Sequence, residues 1–285
     1  MKKGKPVFTY PKPALLHAHI KLYSWMSAEE PDFEEHITYY PNFTSTINIY
    51  KNTQVEYDEI RRTHRPSTAQ NFKILFVGKF NRSREIHTFG PYQKLTVVFH
   101  PLGLNHFVKG PLGPLIQEHF AFFEHYGEQL NQLLPELFSN PDLEVRSQRL
   151  DGFFLSQYHE FKEQRLKRAV ELILEAEDTL KVQDLADELQ ISRKTLLRLF
   201  RKHMAYSVEE YISVVKFRKT LINYQSKVGK RNLSQIALEG NYYDQSDFYK
   251  NFRLKCGQNP SQLFQELKTI DDGLFWKLST RAPSS

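Results

Sequence analysis

Hydrophobic positions along this chain change their period near residue 110. From about Phe8 to Val108 they come in short runs rich in β-branched and aromatic side chains, such as Thr46-Ile47-Asn48-Ile49-Tyr50, Lys73-Ile74-Leu75-Phe76-Val77 and Leu95-Thr96-Val97-Val98-Phe99. Such side chains suit a pleated, half-buried surface, so these runs predict strands. Turn formers lie between them: Asn52-Thr53, His64-Arg65-Pro66-Ser67, Gly78 with Asn81-Arg82-Ser83, and Gly90-Pro91. Several short strands at this spacing predict a β-rich N-terminal domain, either a barrel or a sandwich. After Gly110-Pro111-Leu112-Gly113-Pro114 the spacing becomes helical, with Leu115, His119, Phe122 and Phe123 recurring at three- and four-residue intervals. A second helix is predicted from about Asp142 to Tyr158, set apart from the first by Pro135 and Asn140-Pro141. These helices would pack on the strands or on another subunit. Residues 159–165 read as a polar bridge, so the expected division is a β-rich domain over 1–160, an all-α domain over 161–270 and a tail over 271–285.

The all-α part is the more specific. A helix carrying Leu166, Ala169, Val170, Ile173 and Leu174 is followed by Val182-Gln183-Asp184-Leu185-Ala186-Asp187-Glu188-Leu189, a short amphipathic helix. A tight turn at Gln190-Ile191 and an N-cap at Ser192 then open a helix from Arg193 to His203, which is helix-turn-helix spacing. Leu196, Leu199 and Phe200 fall on one face, and Arg193, Lys194, Thr195, Arg198 and Arg201 on the other. The same grammar recurs in Leu233-Ser234-Gln235-Ile236-Ala237-Leu238-Glu239, a turn through Gly240-Asn241-Tyr242, and Asp244 as N-cap. The second helix of that unit buries Phe248 and Phe252 and offers Gln245, Ser246, Tyr249, Lys250 and Arg253. Gly257 supplies its left-handed stop, and Pro260 opens a last helix. Between the units, Ser207-Val208-Glu209-Glu210 is a capping box that starts a connector helix to about Tyr224, carrying Lys216, Arg218 and Lys219.

Charge sharpens this picture. The chain of 285 residues holds 39 Lys and Arg against 33 Asp and Glu, a net charge of +6. Residues 161–285 hold 22 basic and 16 acidic side chains, so the whole excess lies in the helical half. Clustered positive charge on helix-turn-helix units predicts a face for a polyanion. With 40% hydrophobic and 25% charged residues the composition excludes disorder and collagen, and no apolar stretch has membrane-span length. The N-terminal residues lack a signal-peptide pattern and the single cysteine, Cys256, cannot close an intrachain disulfide, so a cytoplasmic location is expected.

Ala186, Ile191-Ser192, Leu196, Leu199-Phe200, Tyr211, Ile236-Ala237, Asp244-Gln245-Ser246, Phe248, Phe252, Gly257 and Pro260 together resemble the AraC/XylS family of transcriptional regulators. The resemblance spans about residues 166–268. It implies a double helix-turn-helix DNA-binding domain behind a cupin-like N-terminal domain that senses an effector or mediates dimerisation. Phe99-His100-Pro101-Leu102-Gly103 and Glu144-Val145-Arg146 with Phe153-Phe154-Leu155 are similar to a subgroup with a divergent N-terminal domain. The partners it implies are double-stranded DNA, RNA polymerase, a small-molecule effector and a second copy of the chain. Departures are Ala205 and Val208 where Gly and Pro are usual, Lys216 and Thr220 for Arg and Ala, and Asn241-Tyr242 for Gly-Phe. A non-glycine residue in the left-handed stop costs roughly 1 kcal/mol.

In such units the start of the second helix approaches base edges while flanking cations hold phosphate. Arg193, Thr195 and Arg198, then Gln245, Ser246, Tyr249 and Lys250, are therefore candidates for base contact. Arg201, Lys202, Lys216, Lys219 and Arg253 are candidates for phosphate. No cofactor, metal or catalytic group is expected: nucleotide-binding loops and hydrolase elbows are absent, and His17-Ala18-His19 lacks a glycine-flanked metal motif. Two other readings stay open. One is a regulator that has lost DNA recognition and works by pairing with partners, motivated by the altered junction at Ala205. The other is a metal-dependent cupin fused to a DNA-binding tail.

Overall fold

The computed structural model describes residues 4–58, 61–78, 81–116, 120–177, 180–226, 242, 244–266, 268–270 and 274–279. The N-terminal half, joined by two strands from residues 268–279, builds two six-stranded sheets. In the first the order is β1 (Val7–Thr9), β2 (Ile20–Ala28), β9 (Tyr92–Phe99), β4 (Ser45–Lys51), β7 (Phe72–Val77) and β10 (Phe120–Phe122). In the second it is β11 (Lys268–Ile270), β12 (Leu274–Ser279), β3 (Glu34–Tyr39), β8 (Arg84–Phe89), β6 (Arg61–Pro66) and β5 (Thr53–Tyr57). Asn52, in the left-handed region at φ 49, turns the chain from β4 in one sheet to β5 in the other. The period of two along each strand divides the sheet's faces. Leu95, Val97 and Phe99 on β9 join Trp25, Ile47 and Ile49 in a core covered by α2 (Gly127–Ser139) and α3 (Leu143–Gln157). The alternate residues Tyr92 and Lys94 face the second sheet, where His64 lies 4.6 Å from the Tyr50 ring and stacks on Tyr92 at 6.0 Å.

The predicted strands over 46–50, 73–77 and 95–99 are β4, β7 and β9. Four expectations are corrected. His64-Arg65-Pro66, read as a turn, completes β6; Pro66 pairs only with β5, past the last residue bonded to β8, so its missing N–H leaves no gap in that ladder. The helix read through Leu115 and Phe123 is not seen among the described residues: Gly113–Leu115 form a 3-10 turn and Phe120–Phe122 form β10, which pairs with β7, while His119 lies outside the described residues. So short an apolar run cannot be assigned by period alone, and the open edge of β7 decides it. Pro135 does not end a helix but sits within α2, where Leu130, Leu134 and Leu137 are buried; packing there outweighs the missing hydrogen bond. Finally, within the expected tail over 271–285, residues 274–279 form a strand, of which Trp276–Ser279 pair antiparallel with β3 and cover an edge whose unpaired backbone would otherwise be exposed.

The C-terminal half comprises α4 (Gln164–Glu175), α5 (Val182–Glu188), α6 (Arg193–Met204), α7 (Val208–Ser226), α8 (Gln245–Cys256) and α9 (Pro260–Glu266). Leu166, Ala169, Leu185, Ala186, Leu196 and Phe200 form one core with the start of α7. Phe217, Leu221, Tyr242, Phe248, Phe252 and Leu263 form the other. The connector α7 thus belongs to both. The helix expected over Leu233–Glu239 and the turn at Gly240-Asn241 lie outside the described residues. No helix among the described residues is long and apolar enough to cross a membrane.

Candidate nucleic-acid interface

Local chemistry places α6. Gln190 takes φ 51, which lets the Ile191 N–H return to the Ala186 carbonyl at 3.0 Å and close the turn after α5. Ala186 is fully buried, so the two helices cross closely there. Ser192 is extended, and its hydroxyl accepts the Thr195 N–H at 3.2 Å. That satisfies one of the donors left open at a helix start. With Leu196, Leu199 and Phe200 buried, Arg193, Lys194, Arg198 and Arg201 are exposed and Thr195 is half-buried.

The second unit repeats the device. The Asp244 carboxylate accepts the Asp247 N–H at 2.7 Å and starts α8. Gly257, at φ 71, ends it by donating to the Arg253 carbonyl at 2.9 Å. Gln245, Ser246, Lys250 and Arg253 are exposed, and Tyr249 is half-buried with its ring edge-on to Phe248. The structure therefore brings the first five predicted residues onto one open face of α6. The other five lie on α8.

The connector carries what sequence reasoning missed. Its capping box is reciprocal: the Glu210 N–H donates to the Ser207 hydroxyl at 3.1 Å, and the Ser207 N–H to the Glu210 carboxylate at 2.8 Å. Lys216 and Lys219, read as phosphate candidates, have intramolecular partners. The Lys216 ammonium lies 4.1 Å over the Tyr242 ring, and Lys219 donates to the Ala176 carbonyl past the end of α4 at 2.8 Å. Arg218 is buried, and its guanidinium donates to the carbonyls of Pro41 and Tyr40, the latter at 2.8 Å. Burial pushes its pKa down to about 9, still above neutral pH, so the cation persists. The signal was present, because Tyr211, Val214, Val215, Arg218 and Leu221 share one helical face.

Arg218 is one of several links between the halves. The Tyr206 hydroxyl donates to the Gly78 carbonyl at 2.9 Å, the Asn105 amide to the His203 carbonyl at 2.9 Å, and the Ser83 N–H to the Lys255 carbonyl at 2.7 Å. Phe43 and Leu102 pack against the first helical core and Tyr40 is part of the second. At Gly113 a Cβ would lie 2.2 Å from the Arg201 carbonyl oxygen, so only glycine allows this approach to the end of α6.

Residues 185–266 match the family model described as a helix-turn-helix domain. The Msm operon regulatory protein of Streptococcus mutans is 30% identical over 90 residues, 32% of this chain and 32% of its own. The XylDLEGF operon transcriptional activator of Pseudomonas putida is 28% identical over 157 residues, 54% of this chain and 43% of its own. These matches span less than half the length of those curated relatives. Among solved structures, ToxT from Vibrio cholerae is similar with a TM-score of 0.46 and 13% identity, over 85% of this chain and 98% of that one. The resemblance of the C-terminal domain to the AraC/XylS regulators is borne out.

Proposed function

We propose, from the premise that the C-terminal domain is an AraC-type helix-turn-helix domain, that this chain is a sequence-specific regulator of transcription. On this reading α6 and α8 enter adjacent major grooves on one face of double-stranded DNA. The observation that carries it is the pairing of two N-capped helices with open polar faces on a shared connector. The 19 residues of α7 give a length of about 28 Å, close to the roughly 34 Å of one DNA turn. Arg193, Thr195 and Arg198 would meet bases from α6, with Lys194 on the same DNA-facing side, and Gln245, Ser246, Tyr249 and Lys250 from α8. Arg201 and Arg253 would hold phosphate.

The protein would act without catalysis, in the cytoplasm, with RNA polymerase and a second copy as partners. A small-molecule effector would enter between the two sheets, where the Tyr50 hydroxyl and His64 Nε2 are buried without hydrogen-bond partners among the described residues. Loss of DNA recognition is the less favoured reading, because Ala205 takes the left-handed conformation at φ 58 and leaves both flanking helices intact.

Selection of bound fragments from random duplex DNA, then footprinting at near-physiological salt, tests the proposal. Two protected major-groove segments about one turn apart are expected. Arg198→Ala should relax preference at one base position, with a loss of about 1 to 3 kcal/mol on the selected site. Equal losses on selected and scrambled DNA would remove Arg198 from base readout, and sequence-blind binding by the parent protein would overturn the function.

A further inference from the structure

Outside the helical half, the face of the second sheet turned away from the first carries a group of side chains with no part in DNA binding. Glu34 and His36 are two residues apart on β3 and so share a face, and His87 is the cross-strand neighbour of His36 on β8. Glu35 faces the sheets' interior, as do Ile86 and Thr88, which leaves Glu34, His36 and His87 turned outward. His36 Nε2 lies 3.2 Å and His87 Nε2 2.8 Å from the same oxygen, Glu34 Oε1. The two imidazoles face each other with ring centroids 3.5 Å apart. Among the described residues Glu34 pairs with no Lys or Arg, and the nearby Arg65 guanidinium is drawn over the Phe89 ring at 4.3 Å instead.

We propose that Glu34, His36 and His87 form a binding site for a divalent transition-metal ion of the zinc class. All three ligand atoms lie within 4.8 Å of one another. Around a tetrahedral ion with bonds of about 2.0 to 2.1 Å, ligand atoms stand about 3.3 Å apart, so the 2.8 and 3.2 Å separations need only small side-chain shifts. Two imidazoles and one carboxylate form a ligand set for zinc, iron(II), cobalt or nickel rather than magnesium or calcium. The Glu34 side chain is 48% exposed, which gives an ion access to the site and leaves its remaining position to water. The backbone pairing from Glu34↔Phe89 to Tyr39↔Arg84 holds the strands in register without the ion. The histidine pair singled out in the sequence, His17-x-His19, makes no such site. His17 ends α1 (Ala14–His17), and the His19 ring stacks on His106 at 3.8 Å.

The site sits on the strand that also joins the two halves. β12 pairs with its other edge, Ser279 opposite His36, and β3 runs on into Tyr40-Pro41, the carbonyls that hold Arg218. An ion here would brace the start of β3, while Arg218 braces the segment just past its end.

The untagged full chain, stripped with a chelator, would be titrated with Zn²⁺ by calorimetry and with Co²⁺ by visible absorption. One equivalent of either ion should bind, with Co²⁺ bands of four- or five-coordinate intensity. His87→Ala and Glu34→Gln should each weaken binding by at least about tenfold, and His17→Ala/His19→Ala should leave it unchanged. Glu34 is an exposed carboxylate, so Glu34→Gln keeps the test decisive should His87→Ala fail to fold. No stoichiometric binding by the parent chain, or equal binding by the parent and Glu34→Gln, would overturn the site. These readouts need no DNA, so they stand or fall apart from the regulatory function.

Discussion

A guanidinium buried where two domains meet has more to lose than an exposed one, because each of its hydrogen bonds replaces water that cannot return. Arg218 directs two donors at neighbouring carbonyls, a fork geometry that an ammonium cannot reproduce. Arg218→Ala should therefore destabilise the chain by about 3 kcal/mol, and Arg218→Lys should recover only part of that. Urea unfolding measures both, and an alanine variant as stable as the parent would refute the role. Its place was legible in the spacing of Tyr211, Val214, Val215 and Leu221. Its burial was not, since a cation on an apolar face ordinarily reaches solvent and its acceptors are backbone carbonyls that no side chain announces. His106 gives a second residue-scale consequence. Its Nδ1 accepts the Phe161 N–H at 3.4 Å, and burial, then His19 and Lys167, push its pKa down from 6.5 to about 4. The unfolded chain then binds more protons between those values, so stability is full above about 6.5 and is lost as pH falls toward 4. His19 and His64 are lowered in the same sense, so His106→Gln should flatten only part of that fall. The change should be on the order of 1 to 2 kcal/mol, read from unfolding midpoints across the range.

At the scale of elements, the junction of α6 and α7 turns on one backbone conformation. Ala205 is held at φ 58, where a Cβ crowds its own backbone. Ala205→Gly should raise stability by up to about 1 kcal/mol without altering DNA affinity, and a loss of stability would show that the methyl's contacts with the N-terminal core dominate. Caps, turns and amphipathic helices in this half were legible because each depends on a few adjacent residues: Ser192, Ser207 with Glu210, Asp244 and Gly257. The β-rich half was legible only where β-branched residues cluster, as in β4, β7 and β9. β10, a short edge strand, and β12 escaped because each is determined by a neighbour far away in sequence, β7 and β3. The metal-type cluster escaped for the same reason, since Glu34 and His36 meet His87 only through the pairing of β3 with β8.

For the whole molecule, the decisive property is that α7 joins two cores while Arg218, Tyr206 and the Gly113 approach tie the helical half to the sheets. If α6 and α8 read DNA as proposed, two helices fixed in this way cannot rotate independently around a duplex. Inserting about half a turn, roughly five base pairs, between the two halves of the selected site would move one half to the opposite side of the DNA. A rigid pair of units then keeps only one set of contacts, and affinity should fall at least about a hundredfold toward the non-specific level. Footprints should show one protected segment in place of two. Binding unchanged by the insertion would mean that the units are joined loosely, and the effector signal proposed to enter between the sheets would then have no rigid path through α7 to α8.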